Sequence, residues 1–421
     1  MKLKPRVLYL VYWGAAEPLG QSLVLPSVKK LAATGLNLTL ITFEKSCDLE
    51  RRQLIKEIMD SLGDCGIRWL PLRYHKRPKI PATALDVVQG CARSIATSLR
   101  SRPDIIHART FIGGLMGLAV APLLSAKLVY HNEGFYPDEQ VDAGVWRGGS
   151  LIHRIAKRLE RQMYARADGI IALSQRAKRE IEAMGVVRRK QTPVLAAPSC
   201  VDLEHFKVRG AAPCSQDGVL RLVYSGSVGG RYELDKIAHF VKVAMDNGVR
   251  VHLCILSRAE RGLVASILNG AGVPGTAWSY DSIPHNEMPE QLARSHAGLF
   301  FLTQGTSEYA CSPTKIGEYW AAGLPVITTP VSDIEQVIRD EHVGVIVRQH
   351  STTDYLKAVR ELRLLLKDVE TPFRCRRAAE KHYSLQSACE SQTALYDSLV
   401  PGALGKWPVD ESVLRERRRL F

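Results

Sequence analysis

From about residue 6 to about residue 196, short apolar runs alternate with longer segments whose apolar residues recur at helical spacing. Residues 7–11, 38–43, 104–107, 127–131 and 169–173 read as strands, with helices over 21–34, 83–100, 151–166 and 175–184 between them. The pattern then breaks over 207–218 (KVRGAAPCSQDG), which is poor in large apolar residues and carries Gly, Pro and Ser, the composition of a linker. It restarts beyond: 220–224, 250–256, 299–302, 324–328 and 343–347 read as strands, with helices beginning near 233, 258, 285, 313 and 354. Strand and helix in strict alternation predict parallel, doubly wound sheets. Two such units in tandem leave a cleft between them. The expected organisation is a first α/β domain over 1–206, a linker over 207–218, a second α/β domain over 219–395 and a basic tail over 396–421.

Composition adds bounds. With 421 residues, 46% hydrophobic and 24% charged, the chain has the make-up of a globular protein with enough apolar residues for two cores. The nine cysteines are scattered and contain no Cys-x-x-Cys pair, which argues against a disulfide framework or a zinc site and fits a reducing compartment. The most apolar long window, 113–126, is 14 residues, contains Pro122 and falls short of the roughly 20 a membrane span needs. The first residues, MKLKPR, precede too short an apolar run for a signal peptide, so a cytoplasmic location is expected. A net charge of +14 favours anionic partners: nucleotides, nucleic acid or an acidic membrane surface. No helix-turn-helix, zinc-finger or aromatic RNA-binding signature accompanies it, so nucleic acid is not the expected partner.

Two segments carry candidate chemistry. In "SPTKIGEYWAAGLPVITTP" (312–330), Ser312 reads as an N-cap, Pro313 suits the first helical position and Gly323 suits the left-handed residue that ends a helix. With apolar runs on both sides this is a βαβ unit, whose helix start faces the ligand crevice and attracts phosphate; Glu318, inside that helix, is placed to accept from sugar hydroxyls. In "LVYSGSVGGRYELDK" (222–236), a strand enters a turn built on Gly226, Ser227 and Gly229 where backbone can approach an anion, and Arg231 and Lys236 follow as permanent cations. No P-loop is present, and no Gly-x-Gly-x-x-Gly follows the first strand, which argues against a dinucleotide-dependent dehydrogenase. His131 ends the predicted strand 127–131 and points toward the cleft. Of the acids after it, Glu133 is a candidate, whereas Asp138 and Glu139 read as a solvated loop.

These segments together resemble the family 4 (group 1) retaining glycosyltransferases of the GT-B fold. "SGSVGGRYELDK" is similar to that family's Gly-rich turn followed by an Arg and a Lys, here Arg231 and Lys236, that contact the donor diphosphate. "SPTKIGEYWAAGLPVI" resembles its donor-site helix, which implies donor contacts from Ser312, Pro313, Thr314 and Lys315 and ribose contacts from Glu318. "GIIALSQRAKREI", "PSCVDLEHF" and "EPLGQSLVLPSVKKLAATG" are similar to further segments of the first domain, the last to its first loop and helix, implying an acceptor side that includes Gly14, Gly20, Gln21 and Glu133. What the resemblance implies is two Rossmann-like domains and transfer of a sugar, with retention, from a UDP- or GDP-type donor to a glycan or lipid-linked acceptor in cell-surface polysaccharide biosynthesis.

The sequence departs from that pattern twice. Many relatives place a Glu, which touches the donor sugar, where this chain has Ala310; Glu308 is the nearby acid able to substitute. Similar sequences also often carry Asp-x-Arg-Gly where this chain has His131-Asn132-Glu133-Gly134. No Asp-x-Asp pair occurs, so the expected transfer needs no metal and no cofactor beyond the donor, with Arg231, Lys236 and the helix start stabilising the departing diphosphate and His131 near the reacting carbon. The helix predicted over 151–166 has Ile152, Ile155, Leu159 and Met163 at helical spacing and Arg154, Lys157, Arg158 and Arg161 on other faces, a pattern shared by helices that dock on a sheet and helices that lie on anionic membrane. A nucleotide-sugar epimerase of the same architecture and a non-catalytic nucleotide- or nucleic-acid-binding protein are the alternatives.

Overall fold

The computed structural model of the chain describes residues 5–75, 77–208, 218–305 and 307–401. Most of the predicted linker, 209–217, and most of the predicted tail, 402–421, therefore lie outside the described residues.

Seven parallel strands form the first sheet: β1 (Arg6–Val11), β2 (Asn37–Glu44), β3 (Arg68–Arg73), β4 (Ile105–Arg109), β5 (Lys127–His131), β6 (Gly169–Ala172) and β7 (Val194–Ala196), in the order β3-β2-β1-β4-β5-β6-β7. Six more form the second: β8 (Leu220–Ser225), β9 (Val251–Leu256), β10 (Trp278–Asp281), β11 (Ala297–Phe300), β12 (Val326–Thr328) and β13 (Gly344–Ile346), in the order β10-β9-β8-β11-β12-β13. Both are doubly wound, with the order reversing beside the first strand of each, and both agree with the α/β expectation. Central strands such as β4 and β6 are buried at every position because helices cover both faces, which is why they read as unbroken apolar runs. The apolar window near 113–126 is a helix, Thr110–Leu124, packed against β1, β4 and β5. No helix among the described residues is long and apolar enough to cross a membrane.

Two placements differ from the sequence expectation. The last helix among the described residues, Leu385–Leu399, falls in the stretch assigned to the second domain through residue 395, yet it packs Cys389, Leu395 and Tyr396 into the core beneath β1 and β2. The helix Leu151–Arg166 also sits differently from its pattern. Of its apolar row only Met163 is fully buried, Ile155 is 51% exposed, and Lys157 turns inward to bond buried Glu160 at 2.6 Å.

The domains meet through the loop that leaves β11. Asp142 of the first domain accepts from Ser307 N at 2.8 Å, and Ser174 Oγ donates to Tyr309 O at 2.7 Å. Asp333 accepts from the N–H groups of Gln175 and Arg176, so the helix Gln175–Ala183 is capped partly by the other domain.

Candidate active site

β8 ends at Ser225 and the chain turns at Gly226, where φ is +130°. The backbone angle requires glycine, and a Cβ there would lie 2.0 Å from Lys315 Cε and push that side chain aside. Lys315 belongs to the first turn of the helix Thr314–Ala321, and its ammonium stands 4.0 Å from the Tyr232 ring centroid and 5.2 Å from that of Phe300. Burial lowers its pKa to about 8, against an opposing pull from Glu318. No hydrogen bond or ion pair to this ammonium is made among the described residues.

Arg231 reaches the cleft from the same Gly-rich turn. Its Nη1 lies 3.5 Å from Glu139 Oε1 of the first domain, while its Nε and Nη2 are buried with no hydrogen-bond partner among the described residues. The Cys311 thiol lies beside this guanidinium, and because buried donors are seldom left unpaired, Nε and Nη2 are available to an anionic ligand. Burial raises Glu139 to a pKa of about 7 despite Arg231. The expectation that Asp138 and Glu139 form a solvated loop is thus corrected: Asp138 bonds Lys157 at 2.8 Å and His153 at 3.2 Å, and Glu139 faces the opposite domain. Lys236 stands apart from this group. Its side chain is 42% exposed and its ammonium pairs with adjacent Asp235 at 3.8 Å.

The helix that carries Lys315 also carries Glu318, which is buried, with Oε1 3.2 Å from His285 Nε2. His285 in turn stacks on His205 at 5.2 Å between centroids, and His205 Nε2 donates to its carbonyl at 3.2 Å. Gly323 takes the left-handed angle expected at the helix end, φ +84°. Ser312 is not the N-cap. Pro313 holds that position, and the Ser312 hydroxyl accepts from Ser199 N at 3.0 Å, tying the helix start to the segment that closes the first domain. Glu308 is bent back to accept from Gly305 N. Ala310 is buried in the first domain's apolar cluster with Phe111, Phe135 and Tyr164.

Across the cleft, buried Glu44 clamps the first loop by accepting from Ala15 N at 2.7 Å, Ala16 N at 3.1 Å and Thr42 Oγ1 at 2.6 Å. Gly14 and Gly20 serve that fold: side chains there would meet Glu44 Oε2 at 2.6 Å and Gly14 O at 2.0 Å. Gln21 Nε2 donates to Ala16 O at 3.1 Å and closes the loop. His131, at the end of β5, is buried with Nδ1 3.0 Å from His107 Nε2, and its Nε2 lies 3.4 Å from Glu133 Oε1. Arg109, at the end of β4, donates from Nε to the same oxygen at 2.5 Å. Burial, reinforced by Arg109, pushes the pKa of both imidazoles well below the usual range, so both are neutral near pH 7. Among the described residues no group of three or more His, Cys, Asp or Glu side chains is arranged to hold a metal ion.

Two family descriptions match the halves of this architecture: "Glycosyl transferase 4-like domain" over residues 24–196 and "Glycosyl transferases group 1" over residues 221–364. The chain is built from the two domains of a group 1 glycosyltransferase. No curated protein shows significant sequence similarity to it. Among solved structures, a sucrose-phosphate synthase from Thermosynechococcus elongatus is similar in fold, with a TM-score of 0.67 at 15% identity over 94% of this chain and 99% of that one. HepE of Anabaena, in complex with UDP and glucose, gives 0.63 at 14% identity over 94% and 100%. The lipopolysaccharide outer core galactosyltransferase WaaB gives 0.62 at 13% over 93% and 99%. These likenesses establish the GT-B fold for this glycosyltransferase.

Within that fold the predicted residues Gly226, Arg231, Lys315 and Glu318 line one side of the cleft, and His131 and Glu133 stand at the strand ends of the other. Ser227 and Gly229 are exposed at the turn, and Thr314 opens the helix. Sequence reading of the glycosyltransferase missed Glu44, His107, Arg109, Glu139, His205, His285 and Tyr396. His107 closes the run read as a strand over 104–107, and Glu44 directly follows the one over 38–43; polar residues at such strand ends were the available signal.

Proposed function

We propose that this glycosyltransferase moves a sugar, with retention of anomeric configuration and without a metal, from a nucleoside diphosphate to a hydroxyl of a glycan or lipid-linked acceptor. The observation that carries this reading is the set of unmatched cationic donors at the Gly226 turn: Arg231 Nε and Nη2 and the Lys315 ammonium, with the Glu318 carboxylate one helical turn away. A diphosphate satisfies the first two, and ribose hydroxyls bond the third. HepE of Anabaena, similar in fold, is bound to UDP and glucose, which is consistent with such a donor.

In the transfer, the acceptor oxygen bonds the anomeric carbon as the bond from that carbon to the β-phosphate oxygen breaks. The hydroxyl proton passes to the departing phosphate. Negative charge grows on the diphosphate in the transition state, and fixed cations and the N–H groups at the helix start lower the barrier by meeting it. In this reading Lys315, rather than Lys236, supplies the ammonium. Glu133 and His131 stand on the acceptor side. The net charge of +14 supports an acceptor at an anionic membrane surface, and co-sedimentation with anionic vesicles at low salt is the check.

A thermal-shift panel of UDP-, GDP-, ADP- and TDP-sugars tests the donor reading, since a ligand at a hundredfold its Kd stabilises the native state by about 2.7 kcal/mol. One nucleotide class should stand out. A flat panel refutes the donor assignment.

A further inference from the structure

The helix Leu385–Leu399 brings the Tyr396 hydroxyl into the core of the first domain, where it lies 2.5 Å from His107 Nδ1. His107 Nε2 lies 3.0 Å from His131 Nδ1, and His131 Nε2 lies 3.4 Å from Glu133 Oε1. Tyr9 stacks on the His107 ring at 4.2 Å and 11°, fixing its plane. Four side chains from three separate parts of the sequence therefore run in line from the core to the cleft.

We propose that this line is a polarised hydrogen-bond chain that holds His131 with its proton on Nε2, facing Glu133, and that Tyr396 and His107 are positioning residues for the acceptor side of the site. The inference rests on the reading of Glu133 as an acceptor-side group. Only two polarities are open to a chain of two neutral imidazoles and one phenol, because each ring carries one N–H and must accept at its other nitrogen. In the outward polarity Tyr396 O–H donates to His107 Nδ1, His107 Nε2–H donates to His131 Nδ1, and His131 Nε2–H faces the carboxylate. The inward polarity would set a nitrogen lone pair against Glu133 and leave the Tyr396 proton without an acceptor, since His107 is the hydrogen-bond partner of that hydroxyl among the described residues and apolar groups surround it. The carboxylate and the Tyr396 hydroxyl together select the outward chain.

The consequence lies at Glu133. Arg109 Nε–H donates to Oε1 and His131 Nε2 lies 3.4 Å from the same oxygen without a hydrogen bond, while Oε2 has no hydrogen bond among the described residues. That oxygen is directed at an acceptor hydroxyl with its orientation set from behind. His131 Nε2 is buried and has no hydrogen-bond partner among the described residues, so its N–H is free to join Glu133 in holding the acceptor.

Long-range proton–nitrogen correlation spectra of the full chain labelled with 15N-histidine, assigned by single His→Gln substitutions, read the tautomers directly. His107 and His131 should both appear as the Nε2–H form. In Tyr396→Phe, which removes one oxygen from the core, His107 and His131 should shift to mixed tautomers, and kcat should fall about tenfold while KM for the nucleotide sugar stays within about twofold. Wild-type His131 protonated on Nδ1, or tautomers unchanged in Tyr396→Phe, overturns the proposal. The spectra need no turnover, so failure of the transferase reading registers separately.

Discussion

Replacing pH as the only variable tests whether Lys315 grips the donor. With a native pKa of about 8, nearly every molecule carries the ammonium at about pH 6.5 and only about one in 30 at about pH 9.5. A diphosphate against the amine restores the proton, because an opposite charge at contact distance favours the charged form. The apparent Kd for the nucleoside diphosphate should therefore weaken about 30-fold across that window, about 2 kcal/mol. Calorimetry in two buffers of different ionisation enthalpy should record uptake of about one proton on binding at the alkaline end. Glu139, with its pKa of about 7, titrates at the other end of the window and pairs with Arg231, so the series is run on a Glu139→Gln background. Lys315→Arg keeps its charge throughout and should lose the slope. Without nucleotide the same amine makes the native state more stable as pH rises from about 8 toward 10.5, since the unfolded chain still holds a proton the native state has released. A Kd that stays constant in the parent, or an equal slope in Lys315→Arg, refutes the role.

Turnover separates the two candidate ammonium groups: Arg231→Ala and Lys315→Ala should each lower kcat about a hundredfold, roughly 3 kcal/mol, whereas half-exposed Lys236→Ala should stay within about threefold. Glu139 holds its proton to about pH 7 in the native state and, once unfolded, releases it near 4.5. Native stability should therefore fall as pH rises between those values, by about 3 kcal/mol, and urea denaturation of Glu139→Gln should lose that component. Ala310→Glu, which restores the acid common in related sequences, should destabilise by about 3 kcal/mol on thermal unfolding rather than raise activity, because residue 310 is buried in the apolar cluster that includes Phe111, Phe135 and Tyr164.

The sequence alone determined the two parallel doubly wound sheets, because central strands covered on both faces must be apolar throughout and the helices between them must be amphipathic. It also placed Gly226, Arg231, Lys315 and Glu318 on turns and helix starts, since those roles follow from local backbone geometry. Edge strands β3, β7 and β10 were missed: short or half-polar segments such as Arg68–Arg73 and Trp278–Asp281 carry no such signal. Only the tertiary structure decided which partner each polar group meets. Ser312 looks like a cap to its neighbours in sequence, yet its hydroxyl holds Ser199, 113 residues away. Tyr396 falls at the start of the stretch read as a basic tail, yet the helix that carries it crosses back to the first domain and delivers its hydroxyl to His107, 289 residues upstream. Local propensity fixes the elements, but burial and hydrogen-bond satisfaction are settled between segments far apart in the chain, and the chemistry of the cleft depends on those meetings.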